Sequence, residues 1–150
     1  MKPTDTLSAE FATRFQKLAL ELGPSNVDML LDSAQSQELP AGRTVIRDRM
    51  PVDYIYFILD GTLHTFIEQD GASMQLGDIK PGEWMGEISV LSGEYVASAT
   101  VVTNTPCKFL KIHHIALEKM IAENEAFAKV MLENFIALMA ERLRNMYANH

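Results

Sequence analysis

Between about Gln37 and His113 the chain changes its texture, and that change limits its fold more than any other feature. Before it, Leu7, Phe11, Phe15, Leu18 and Leu22 recur at spacings of three and four. Within it, the β-branched and aromatic runs RTVIR, YIYFIL, TLHTFIEQ, ASMQL, YVASATVV and CKFLKIH are separated by glycine-bearing gaps. A run that alternates with period two presents its side chains to opposite faces of a pleated ladder, and runs this short pair through tight reversals. Gly42, Gly61, Asp70-Gly71, Gly77-Asp78 and Pro81-Gly82 fall in the gaps, where positive φ or a sharp turn is needed. The expectation is an antiparallel sandwich or barrel of short strands over residues 37–113.

Helices flank this region. Residues 7–22 read as one amphipathic helix stopped by Gly23-Pro24, and a second short helix is expected around Val27 to Ala34. From Ile115 to Tyr147 helical periodicity returns, with a break near Asn124-Glu125 and a long final helix. The 150 residues suffice for one sizeable core and not for two. The organisation expected is therefore a single domain over 1–150, with helices in 7–34, a β-barrel in 37–113 and C-terminal helices in 114–148. No apolar run approaches the roughly 18–20 residues of a transmembrane helix. The opening MKPTDTLSAEF has no apolar stretch behind its lysine, so no secretory signal is expected, and the single cysteine, Cys107, has no internal disulfide partner. A reducing cytoplasm fits. Thirteen Lys and Arg against twenty Asp and Glu give a net charge of -7, which disfavours nucleic acid as a partner.

Taken in order, LPAGRTVIR, DYIYFILDGTL, IKPGEWMGEISVL and ASATVV resemble the cyclic-nucleotide-binding domain of catabolite-activator proteins and protein kinase A regulatory subunits. The likeness covers nearly the whole chain and rests on Gly42, Tyr56, Gly61, Gly82, Gly86 and Glu87 at the family's spacings. It implies a mainly β fold, a jelly-roll β-barrel (double-stranded β-helix), with N-terminal helices and a long C-terminal helix across the barrel's mouth. It also implies a short helix after Gly86, the phosphate-binding cassette, and so a site made of Gly86, Glu87, Ile88, Ser89, Ala97 and Ser98.

A helix N-terminus offers unpaired amides and a partial positive charge, so the amides of Gly86 to Ser89 suit an anion, with Gly86 permitting close approach. By resemblance Glu87 accepts the ribose 2′-hydroxyl and Ser98 donates to the cyclic phosphate. The position before Ser98 carries an arginine in the family and is Ala97 here. Losing one member of a desolvated ion pair costs about 3–5 kcal/mol, or two to four decades of affinity. Binding of cyclic AMP or cyclic GMP is thus expected to be weak, unless Arg43, Arg47 or Arg49 reaches the site or the helix N-terminus suffices. A ligand other than a cyclic phosphate is the third alternative. Arg47-Asp48-Arg49 stands where the family has an acidic-Gly-Asp turn, and is read as a solvated turn.

The remaining side chains have structural readings. Met85 and Met74 are expected to fill core, and Trp84 to cap the barrel rather than stack on a base. A metal-binding barrel needs two histidines alternating on a strand; His64 stands alone, and His113 and His114 point to opposite faces if extended. No metal site and no cofactor are expected. Cys107 reads as a buried, inert thiol, and no nucleophile and base are paired, so the chain is not expected to be an enzyme. On the last helix Leu132, Ile136, Met139, Leu143 and Met146 are spaced as a coiled-coil seam, beside a second stripe of Met131, Phe135 and Leu138. A homodimer through this helix is expected. Two functions follow: a free-standing sensor that binds a cyclic nucleotide, or a dimerisation or protein-interaction domain that has lost nucleotide binding. Gly86, Glu87 and Ser98 favour the first and Ala97 the second, on the ground that a cassette without ligand has less need of the glycine. No nucleic-acid or membrane partner is expected.

Overall fold

The structure, a computed structural model, describes residues 3–86 and 93–148. It divides into a β unit, 34–114, and a helical unit formed by the segments before and after it.

The strands of the β unit are β1 (Ala34–Leu39), β2 (Thr44–Ile46), β3 (Tyr54–Asp60), β4 (Leu63–Gln69), β5 (Ala72–Ile79), β6 (Trp84–Met85), β7 (Thr100–Thr103) and β8 (Cys107–His113). They pair as two four-stranded sheets, in the orders β1-β8-β3-β6 and β2-β7-β4-β5, with every pairing antiparallel. That is the winding of an eight-stranded jelly roll, the fold class expected. Period-two alternation carries the core: Ile55 and Phe57 of β3, Leu63 of β4, Val101 of β7 and Leu110 and Ile112 of β8 are buried. The β4–β5 reversal is a two-residue turn, Asp70 and Gly71 at φ 55 and 78, between Gln69 and its partner Ala72. Two successive positive φ values match the right-handed twist of the flanking strands.

Several boundaries differ from the sequence-based ones. AQSQEL lacks strand-forming residues but is β1, because it pairs with β8 from Ala34↔Ile112 to Leu39↔Cys107. YVASATVV is a strand only from Thr100; Tyr95 adopts φ 55, and Val96 makes a single bridge to Pro51. Met85 is buried, but Met74 is half exposed, because β5 is an edge strand with Ala72 to Asp78 in solvent on both faces. Trp84 is 3% exposed and stands edge-on to Phe57 at 5.3 Å, which is a core role.

The helical unit contains α1 (Pro3–Arg14), α2 (Gln16–Leu22), α3 (Pro24–Asp32), α4 (His114–Glu123, of which His114 belongs to the β unit) and α5 (Glu125–Ala148). The single helix expected over 7–22 is two. Phe15 leaves helical dihedrals (φ -121, ψ 54) while its ring stays buried and stacked on Phe11 at 5.1 Å. The proline read as part of a stop starts α3, at the first position, where its missing N–H is no loss. At the break between α4 and α5 the Asn124 carboxamide oxygen accepts from the Phe127 amide at 3.0 Å, and its nitrogen donates to Asn26 Oδ1 at 3.1 Å. On α5, Phe127, Met131 and Phe135 are buried. Among the described residues no helix is long and apolar enough to cross a membrane.

Candidate functional site

Gly86 closes the short strand β6, which pairs with β3 through Tyr56↔Met85 and Phe57↔Trp84. Its φ is 90, and a Cβ placed on it would lie 2.6 Å from the Tyr54 carbonyl oxygen and 3.4 Å from Val52 Cγ1. The close approach that this glycine permits is therefore to the backbone of its own fold. The fold itself therefore calls for this glycine, so its presence does not by itself argue for a ligand. Glu87, Ile88 and Ser89 lie outside the described residues.

The other two residues expected in the site, Ala97 and Ser98, lie on the segment before β7. Ala97 is 5% exposed and held on both sides: its amide donates to the Met50 carbonyl at 2.9 Å, and its carbonyl accepts from the Arg49 amide at 2.9 Å. Ser98 is exposed. Where the family arginine is expected, the chain thus has a covered methyl group beside the 47–50 turn. That turn closes with the Met50 amide donating to Arg47 at 3.1 Å, and Arg49 adopts φ 67, the left-handed conformation that glycine favours. Arg43, Arg47 and Arg49 are all exposed.

Arg47 also stands on the wall of a cavity of about 390 Å³ whose other sides include Thr44, Met50, Asp53, Tyr54 and Tyr56. Its volume lies in the range that takes a small organic ligand. Gly86 and Ala97 adjoin it without lining it: Gly86 abuts Val52 and Tyr54, and Ala97 bonds to Met50. Burial, with the nearby Tyr54 and Asp53, raises the Tyr56 phenol above its ordinary value, so at neutral pH it is a protonated donor. The sequence reading missed this wall. The signal was there in YIYFIL, whose alternation puts Tyr54 and Tyr56 on one face of β3, with their rings 6.3 Å apart.

The other candidates sort by position. His64 bonds through Nδ1 to Asn104 Oδ1 and stacks on Phe66. Cys107 is buried, and desolvation, ahead of the lowering contact with Thr105 and the raising field of Asp60, moves its thiol up, away from reactive thiolate. His113 and His114 do not diverge as two extended neighbours do. Their rings stack, with centroids 4.5 Å apart, because β8 ends at the first and α4 begins at the second. On α5, Leu132, Ile136 and Leu143 are 37%, 64% and 52% exposed and Met131 and Phe135 are covered, while Leu138 and Met139, one from each stripe, are both half-buried, so the stripes differ in exposure everywhere but there. The Met146 side chain lies outside what is described.

The sequence profile of the family described as "Cyclic nucleotide-binding domain" matches residues 36–124. The chain is 28% identical over 123 residues to a cyclic nucleotide-gated potassium channel of Mesorhizobium japonicum, covering 79% of this chain and 32% of that one. It is 27% identical over 128 residues to a CRP-like cAMP-activated global transcriptional regulator of Mycobacterium tuberculosis, covering 84% and 54%. It thus spans a third to about half of the length of these relatives. Among solved structures, a cyclic nucleotide-binding domain from Methylobacillus flagellatus superposes with a TM-score of 0.85 at 23% identity, over 97% of this chain and 83% of that one.

Proposed function

The chain belongs to the cyclic nucleotide-binding domain family, and from that premise we propose that it is a regulatory or sensor module whose cassette, Gly86 to Ser89 with Ala97 and Ser98, binds cyclic AMP or cyclic GMP weakly. The observation that carries the weakness is Ala97, buried and engaged through its backbone with Arg49 and Met50. The nearest arginines on the turn are exposed, and a solvated guanidinium contributes about 0–1 kcal/mol to an ion pair against the several kcal/mol of a desolvated one. Backbone amides and the Ser98 hydroxyl are left to hold the phosphate. In this reading the module acts by binding and not by catalysis, in the cytoplasm. Its charge of -7 turns it away from nucleic acid, and no membrane partner is involved. It pairs with a second copy through Leu132, Ile136, Met139, Leu143 and Met146.

Calorimetric titration with cyclic AMP and cyclic GMP tests this. The wild type should show a Kd of about 100 μM or weaker, and Ala97→Arg should bind at least about tenfold tighter, equivalent to 1.4 kcal/mol. Adding Glu87→Ala to that variant should remove most of the gain, by leaving the ribose hydroxyl without its acceptor. Tight wild-type binding, lost in Arg47→Ala, would place the cation on the turn instead.

The exposed stripe of α5 supports a second reading, a dimerisation or interaction domain that has lost nucleotide binding. A folded Ala97→Arg variant with no gain in affinity would favour it.

A further inference from the structure

Asp53, His113 and His114 meet because of the register between β3 and β8. Tyr54 stands opposite His113, so the residue before β3 faces the residue after β8, and the His114 amide donates to the Asp53 carbonyl at 2.9 Å. The turn from strand to helix between His113 and His114 brings their rings to one side, stacked at 29°. Tyr54 stands edge-on to His113 at 5.3 Å, and Tyr95 packs on His114 at 4.4 Å, so aromatic neighbours limit both imidazoles. One ligand atom of each of the three side chains lies within 4.8 Å of those of the other two. Among the described residues no other three groups of His, Cys, Asp or Glu are so placed.

We propose that Asp53, His113 and His114 form a binding site for a divalent first-row transition ion of the zinc class. Two imidazole nitrogens with one carboxylate suit zinc, cobalt, nickel or copper, whereas calcium and magnesium require six or more oxygens, several of them carboxylate or water. In a tetrahedral zinc site, with bonds of about 2.0–2.2 Å, ligand atoms stand roughly 3.3–3.5 Å apart. Closing the cluster to that spacing needs at most about 1.5 Å for any pair of ligand atoms; the exposed Asp53 side chain swings in between rotamers, and the two stacked rings turn so that their in-plane nitrogen lone pairs converge on one ion. Three protein ligands leave a coordination position open to water or to an incoming donor. Asp53 also stands on the wall of the 390 Å³ cavity, so the ion sits at its edge.

The test uses the full chain, stripped by chelator dialysis and titrated with Zn²⁺ by calorimetry and with Co²⁺ by visible absorption. One equivalent should bind, and His114→Gln and Asp53→Asn should each weaken binding by at least about tenfold, while His64→Gln leaves it unchanged. Histidine-ring NMR of the wild type during the Zn²⁺ titration keeps the test independent of how the variants fold: the His113 and His114 resonances should move and that of His64 should not. Absence of binding at 1 mM metal (roughly the 4 kcal/mol limit of a meaningful site) overturns the proposal. So does binding retained within twofold in the His113→Gln/His114→Gln double variant, or a ring response confined to His64 or His150.

Discussion

Gly86 fills a place that no side chain can enter without displacing backbone. A methyl group there would lie 2.6 Å from the Tyr54 carbonyl oxygen, in a backbone conformation, φ 90, that L-residues rarely adopt. Gly86→Ala adds overpacking to strain, and the two together are worth about 2–5 kcal/mol. For a chain of this size a loss of that order lowers Tm by roughly 4–20 °C, measurable by differential scanning fluorimetry. The expected fall occurs without any nucleotide present. A Gly86→Ala variant as stable as the wild type would show that the contact relaxes freely, and would restore the glycine as an argument for a ligand. The neighbouring Ala97 offers the complementary case. Its methyl is covered and its backbone bonded, so its importance lies in the side chain that is missing, which no hydrogen bond in the fold reveals.

Elements whose cause is local were legible, and elements made by distant partners were not. Asp70-Gly71 announces its hairpin, since the turn's geometry is set by those two residues alone. The Asn124 break was equally plain, because the capping side chain reaches the Phe127 amide three residues on. β1 escaped, for its strand character comes from a partner more than sixty residues away. The meeting of His113 and His114 was not legible for a related reason: strand parity holds only if both are extended, and here the strand ends at the first and a helix begins at the second. The stripes of α5 were readable from spacing, and the structure covers Met131 and Phe135 of one and exposes Leu132, Ile136 and Leu143 of the other, with Leu138 and Met139 half-buried. The exposed set at a/d spacing is expected to hold two copies together. Sedimentation velocity at micromolar concentration should give a dimer for the wild type and a monomer for Leu143→Glu, since a charge in the seam is desolvated without a partner. A wild-type monomer at high micromolar concentration, unchanged by the substitution, would leave the stripe to some other surface.

For the molecule as a whole, the sensor and interaction readings differ in how a nucleotide couples to folding. A ligand that binds only the native state stabilises it by RT ln(1 + [L]/Kd). With a Kd of about 100 μM, 1 mM cyclic AMP adds about 1.4 kcal/mol, and with a tenfold tighter Ala97→Arg variant about 2.7 kcal/mol. At roughly 2–4 °C per kcal/mol, the wild type should gain at most about 3–6 °C and the variant about 5–11 °C. Protein concentration must be held fixed, because dissociation of a dimer also moves Tm. The distinction lies in the pattern across both proteins. A small shift that grows in Ala97→Arg marks a nucleotide site that is intact in shape and deficient in charge. No shift in either, with both folded, marks a cassette closed to nucleotides and leaves α5 as the functional surface. A large shift in the wild type, abolished by Arg47→Ala, moves the missing cation to the turn beside Ala97, where Arg47 and Arg49 are both exposed and Arg49 holds a backbone conformation that glycine would adopt with less strain.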